Sequence, residues 1–187
     1  MIPDNCLNNQ LSFRMVKSSL IGLPSPSAIR SDKFPGVRIG SDPIIGNHCI
    51  IYGNVFIGDE FRCGDNVLIR DNTSLGDGVS IGNWSFIDND VVVADRVTIG
   101  DEVWVPRSTW IGSHVVIGPG VRFLSESFDA GAISSRPPGI ILEEGCIIGK
   151  NAVISPGVCV GAGARVADEA VVTEDVPPVI ILNHDNS

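Results

Sequence analysis

Apolar residues recur along this chain with a period of six. Stepping in sixes from Ile39 passes Ile45, Ile51, Ile57, Cys63, Ile69, Leu75, Ile81, Ile87, Val93, Ile99, Val105, Ile111, Ile117 and Phe123, and all fifteen positions are apolar. Two residues earlier runs a second series, from Val37, Pro43, Cys49 and Val55 to Val115 and Val121, mostly small or β-branched. Glycine follows the first series at nine of its fifteen positions, among them Gly40, Gly58, Gly82 and Gly118. A second block repeats the pattern from Leu142 through Ile148, Ile154, Val160 and Val166 to Val172. Side chains two apart share one face of a strand. Each hexad therefore predicts a short strand with two inward residues, followed by a bend. Three such strands close one triangular coil of 18 residues, and fifteen plus six hexads make 21, or seven coils. At a strand spacing of about 4.8 Å the coils stack into a prism roughly 30 to 35 Å long. The period is too short for a repeat that contains a helix, and β-branched inward residues suit strands packed by stacking.

The pattern divides the chain. Residues 1–36 lie outside the repeat as an arm or cap and a linker: LSFRMVKSSL predicts a short helix, and LPSPSAIRSDKFPG reads as a Pro-rich linker. Residues 37–177 form the prism, and 178–187 a tail. From Phe123 to Leu142 is 19 residues where six would continue the repeat, so thirteen are inserted. This insertion, at about 124–139 in LSESFDAGAISSRPPG, is loop-like, and long excursions from a rigid scaffold tend to carry function.

The residue before each inward Ile or Val points outward, and every third hexad returns to the same side. The first side carries Ile50, Leu68, Phe86, Trp104 and Arg122, continuing through Val153 and Val171 if the insertion leaves the register intact. The second carries Arg38, Phe56, Ser74, Val92 and Trp110, and the third Ile44, Arg62, Ser80, Thr98 and Val116. The first is a nearly continuous apolar stripe, expected to meet a partner or to be covered by residues 1–36.

Composition agrees with an all-β domain. The chain has 187 residues, 43% apolar and 19% charged, with 21 Gly and 12 Pro, too apolar for disorder and too rich in turn formers for a helical bundle. A net charge of -9 argues against nucleic acid as partner. No apolar run approaches the roughly 20 residues that span a bilayer, and the polar start MIPDNCLNNQ has no signal-peptide core, so no membrane insertion and a cytoplasmic location are expected. The five Cys are odd in number and show no CxxC spacing, which predicts buried thiols instead of a disulfide framework or zinc knuckle.

These hexads resemble those of the hexapeptide-repeat, or isoleucine-patch, proteins over about residues 37 to 177. The resemblance implies a left-handed parallel β-helix of about seven triangular coils with one inserted loop. The hand comes from the resemblance alone, since parallel crossovers are otherwise right-handed in about 98% of cases. The stretch IIGKNAVISPGVCVGAGARVADEAVVTEDVPP is similar to the C-terminal signature of the family's acyltransferases, closest to the subset that acetylates nucleotide-linked amino sugars. That likeness implies acetyl-CoA as co-substrate, a sugar or nucleotide-sugar acceptor, and a homotrimer with parallel axes whose loop leans over a neighbouring subunit. It would lay the pantetheine arm and nucleotide along Ser155, Ala170 and Thr173, with Lys150 and Arg165 as the cations nearest in sequence and Arg136 in the loop. The chain departs from the family in having Glu174 where a Lys precedes Asp-Val-Pro-Pro, and in ending ILNHDNS. Residues 140–187 hold seven acids against two bases, a local net of -5.

Acyl transfer needs a group that takes a proton as the acceptor attacks the thioester, and His is the usual choice near neutral pH. The loop has no His. It offers Glu126 and Asp129, for which, as surface carboxylates, solubility is the default role, and the resemblance implies that the substrate itself can supply the base in some of this subset. His114, at a bend near the loop in sequence, is a further candidate. Trp110 is placed to stack on a sugar or base, Asn89 to reach a crevice between chains, and Trp104 to pack at an interface. Asn54, Asn66, Asn72, Asp90 and Asn151 read as turn formers that tolerate left-handed backbone angles. His48 and His114 are 66 residues apart, eleven hexads, hence on different corners, and no metal site is expected. Two other readings stay open: a catalytically silent β-helix used for assembly or binding, and a metal-dependent enzyme like the carbonic anhydrase built on this fold.

Overall fold

The computed structural model describes residues 14–15, 18–24, 36–124 and 139–179. Inward β-branched residues every six positions leave the backbone one repeated choice, a short strand and a bend, and nearly all strands are two residues long. Each pairs in parallel with the strands one coil before and after, as Phe86–Ile87 does with Leu68–Ile69 and Trp104–Val105. Three sheets result. The first side runs Leu20–Leu23, Ile50–Tyr52, Leu68–Ile69, Phe86–Ile87, Trp104–Val105, Arg122–Phe123, Val153–Ile154 and Val171–Val172. The second runs Arg38–Ile39, Phe56–Ile57, Ser74–Leu75, Val92–Val93, Trp110–Ile111, Ile141–Leu142 and Cys159–Val160. The third holds Arg14–Met15, Ile44–Ile45, Arg62–Cys63, Ser80–Ile81, Thr98–Ile99, Val116–Ile117, Ile147–Ile148 and Arg165–Val166. The fold is a left-handed parallel β-helix of about seven coils. Among the described residues no helix is long and apolar enough to cross a membrane.

Both inward series fill the axis, from Ile45 and Cys49 to Ala164 and Val166, with Phe61 and Phe123 the largest fully buried side chains. Partly buried Ile21, Val37 and Ile39 close one end of this core, and Ala170, Val172 and Val176 the other. The thirteen inserted residues do not disturb the register. Arg122–Phe123 lies on the first side and Ile141–Leu142 falls on the second, paired with Trp110–Ile111. The apolar stripe therefore does continue through Val153 and Val171, and Leu20 extends it at the other end.

The start of the chain departs from expectation. Within LSFRMVKSSL, where the sequence predicts a helix, the structure has Arg14–Met15 in parallel register with Ile44–Ile45, and the strand beginning at Leu20 pairs with Ile50–Tyr52. The first full coil otherwise exposes a row of unpaired backbone groups, and an edge of that kind is satisfied by another strand. Helical periodicity within ten residues does not outweigh it.

Corners are held by two devices. The third residue after each inward Ile adopts positive φ, including Asn54, Asn66, Asn72, Asp90 and Asn151 as the sequence predicts. Acidic and amide side chains then cap the coil above: Asp59 Oδ1 accepts the Ser41 N–H at 2.6 Å, Asp77 Oδ1 that of Asp59 at 2.8 Å, and Asp65 Oδ1 that of Asn47 at 2.6 Å. These backbone hydrogen bonds, from Ser41 and Asn47, hold the Asp59 and Asp65 carboxyls below the ordinary aspartate range.

Candidate functional site

Of the three corners, the one between the first and second sides is different in kind. The other two carry Gly after the inward Ile in nearly every coil of the first block. Here the same place holds Tyr52, Arg70, Asp88, Pro106 and Leu124, then Ser155 and Thr173. The inserted loop leaves from this corner and returns to it. Its returning end is pinned: a Cβ on Gly139 would collide with the Ser108 carbonyl, and Trp110 N–H donates to Ile140 O at 2.9 Å.

Above the loop the corner is densely polar. Arg70 Nη1 lies 3.3 Å from Asp88 Oδ1, and Arg70 Nε 3.9 Å from Asp71 Oδ1. Both carboxylates are largely withdrawn from solvent, at 10% side-chain exposure for Asp71 and 14% for Asp88. Asn89 donates its backbone N–H to Asp88 Oδ1 and its side-chain amide to Asp90 Oδ2, each at 2.8 Å. Asn54 donates to Asn72 Oδ1 at 2.5 Å, and Asn72 to Asp90 Oδ1 at 3.3 Å, so the amides form a ladder along the corner. Thr73 Oγ1 donates to Asp88 O at 3.0 Å. Beside this ladder, a groove of about 650 Å³ is lined by Arg38, Asn54, Phe56, Asn72, Thr73 and Ser74, among others. A half-buried cation flanked by two carboxylates, with amides alongside, can orient a polar acceptor rich in hydroxyl or amino groups.

Several residues singled out from sequence lie along this corner at different heights. Asn89 lies above the loop. Ser155 and Thr173 lie below it on the same corner, the strands they end being joined by Ser155 N–H donating to Val172 O at 2.9 Å. Trp110 stands next to the returning strand on the second side and is exposed. Others lie elsewhere. Ala170 packs against the end of the core. Lys150 is on the corner between the third and first sides, its Nζ 3.5 Å from Asp168 Oδ2, and Arg165 is exposed on the third side. His114 occupies the remaining corner, with Nε2 3.4 Å from Arg96 Nη1 and Nδ1 3.8 Å from Glu144 Oε1. Glu126, Asp129 and Arg136 fall outside the described residues. Arg70, Asp71 and Asp88 were not singled out from sequence, although their lack of glycine on every third hexad was a signal.

Three of the seven acids near the C-terminus are used by the backbone. Glu143 Oε2 accepts the Ala162 N–H at 2.9 Å, Asp168 Oδ1 that of Lys150 at 3.0 Å, and Asp175 Oδ1 that of Cys159 at 2.8 Å. Amide dipoles offset part of the charge that would repel an anionic ligand there.

No family model matches the chain. A 54-residue stretch is 50% identical to a 2,3,4,5-tetrahydropyridine-2,6-dicarboxylate N-acetyltransferase of Staphylococcus aureus. The match takes in 26% of this chain and spans only 23% of that protein's length. Among solved structures, the UDP-N-acetylglucosamine acyltransferase of Francisella novicida superposes with a TM-score of 0.66 at 20% identity, covering 89% of this chain and 61% of the other. The polySia-specific acetyltransferase NeuO superposes with a TM-score of 0.51 at 24% identity, covering 76% and 75%. These likenesses establish the hexapeptide-repeat β-helix as the fold of this chain.

Proposed function

We propose that this protein is a coenzyme A-dependent acyltransferase that moves an acetyl group to an amine, or to a hydroxyl, of a sugar, in the first instance a nucleotide-linked one. The observation that carries the reading is the convergence of one loop, one polar ladder and two small hydroxyl side chains on a single corner. Relatives named as N-acetyltransferases and sugar acyltransferases support it.

Ser155 and Thr173 fit an extended pantetheine arm, being small and stacked one coil apart, with backbone groups within reach. Acetyl-CoA, when bound, supplies an activated thioester. The chain's own part is to hold the acceptor and remove its proton. In this reading Arg70 with Asp71 and Asp88 orients the acceptor's hydroxyl groups, Asn89 adds an amide, and Trp110 stacks on the sugar or base. Glu126 or Asp129 from the loop takes the proton, with His114 as the alternative when a second chain brings its corner alongside. Backbone amides at the corner stabilise the negative charge that develops on the thioester oxygen. Arg136 is the loop's cation for the coenzyme phosphates, joined by Lys150 and Arg165 where chains meet. The apolar first side supports assembly into a homotrimer.

Calorimetric titration with acetyl-CoA tests this directly. Saturable binding is expected, abolished by Ser155→Trp, which fills the groove, and followed by thiol release with a panel of amino sugars. The absence of both heat and a thermal shift at millimolar coenzyme would sink the reading. That outcome would favour a silent assembly or binding β-helix, a role that Glu174 and the acidic C-terminal segment support.

A further inference from the structure

Inward cysteines in a core usually act as small apolar fillers. One pair here is arranged differently. Cys63 lies directly below Ile45 on the third side, and Cys49, four residues after Ile45, opens the first side of the coil above. Their sulfurs meet across the inside of the corner at 3.8 Å, with Cys49 1% and Cys63 7% exposed. The same two places in the next coil hold Val67 and Ile81, and in the one after it Ser85 and Ile99, so the pairing is peculiar to this end of the prism.

The surroundings are those of a reactive pair. Cys49 Sγ donates to Gly64 O at 3.1 Å, which leaves its lone pairs toward Cys63. The hydrogen bond from Cys63 pulls the Cys49 thiol below its ordinary value, and the same contact together with burial pushes Cys63 up. By contrast, burial raises Cys146 to about 12. The pair lies under the strand Leu20–Leu23 and the residue before it. Ser19 Oγ accepts the Cys49 N–H at 3.1 Å and donates to Gly46 O at 2.8 Å, and the strand from Leu20 covers Ile50. Terminal strands open at a fraction of the cost of global unfolding, which gives a small oxidant its route.

We propose that Cys49 and Cys63 are a redox-active dithiol, converted by a peroxide into a disulfide that staples two successive coils. The Cys49 thiolate attacks one peroxide oxygen. A sulfur–oxygen bond forms, the oxygen–oxygen bond breaks, and hydroxide leaves to take up a proton as water, with Cys49 oxidised to the sulfenic acid. Cys63 sulfur then attacks the Cys49 sulfur, the sulfur–oxygen bond breaks, and the Cys63 proton leaves with that oxygen as a second water. Two thiols and hydrogen peroxide give one disulfide and two waters. The sulfurs must close from 3.8 Å to about 2.05 Å.

The test is peroxide treatment of the folded full chain, alkylation in denaturant and peptide mass mapping. A dithiothreitol-reversible link between the Cys49 and Cys63 peptides is expected, with Cys146 still alkylated and the thermal midpoint raised by roughly 5–10 °C. Cys49→Ser and Cys63→Val should each abolish the link. Ser85 and the aliphatic members of the inward series show that the coils accept both residue types at these places. The proposal is overturned if Cys49 and Cys63 stay fully alkylatable, if Cys6 or Cys146 takes their place in the link, or if the link forms only in denaturant. None of these outcomes depends on coenzyme binding, so the dithiol and the acyltransferase reading stand or fall separately.

Discussion

Trp84 holds a φ of +57° with 67% of its surface exposed, at a corner place where Asn66 and Asn151 stand in other coils. A large side chain there crowds its own carbonyl, at a cost of about 1–2 kcal/mol, whereas Asn tolerates the conformation. Trp84→Asn is therefore expected to raise stability by about 0.5–1 kcal/mol. Gly82, two residues earlier, behaves the opposite way. Its φ is ordinary, but a Cβ would come within 2.5 Å of the Gly100 carbonyl carbon in the next coil. Gly82→Ala should cost about 1–3 kcal/mol, because backbone cannot yield as a side chain does. Urea titrations of the two variants should move in opposite directions, and a loss from both would refute this account of the corner. The Asn and Asp turn formers were legible in sequence because their preference is local. The reason for the glycines was not, since it lies in a coil 18 residues away. The candidate site was partly legible: of the six places in the first block without Gly, five (Tyr52, Arg70, Asp88, Pro106 and Leu124) share one corner, and only Ala94 does not. Counting every third hexad exposes that bias.

At the scale of strands and corners, stability depends on groups that cap the coil above. Asp59 and Asp65 are ionised acceptors of backbone N–H groups, so their pKa values are lower folded than unfolded. Their contribution is complete above the unfolded value and disappears as the pH falls through the folded one. The thermal midpoint should stay level from neutrality to about pH 5 and fall below about pH 4. Asp59→Asn combined with Asp65→Asn should reduce the slope, because an amide oxygen still accepts the bond, as Asn83 Oδ1 does from Asp65 N–H at 2.9 Å. A midpoint that rises on acidification would contradict the ladder. The strands at Arg14–Met15 and Leu20–Leu23 belong to the same scale and escaped the sequence reading for a different reason. Met15 and Ile21 stand six apart and in step with Ile39, but Ser27 and Lys33 interrupt the series before it, so the spacing does not show as a repeat, and the strands are placed by the unsatisfied edge of the first coil.

For the molecule as a whole, the first side decides what the prism does in solution. Eight strands present Leu20, Ile50, Leu68, Phe86, Trp104, Arg122, Val153 and Val171 in one row, with a single charge among them. The second and third sides interrupt their apolar residues with Arg, Ser and Thr, as at Arg38 and Ser74 or Arg62, Ser80 and Thr98. Residues 18–24 cover only the end of the first side, since their strand joins the row as its outermost member. A long apolar row is expected to bury itself against another copy, the apolar contact outweighing the repulsion between chains of net charge -9. In the proposed trimer, three parallel chains would cover all three rows at once and would bring the loop corner of each toward its neighbour. Sedimentation at micromolar concentration should give three times the 19.8 kDa chain mass. Trp104→Asp should return the single-chain mass without unfolding, since Trp104 points outward from the prism and is 38% exposed. The acetyl transfer proposed above should fall with it if the site is completed by a second chain, and should survive in the monomer if one corner suffices. A native protein that sediments as a monomer would remove both the trimer and the route by which His114 approaches the loop corner.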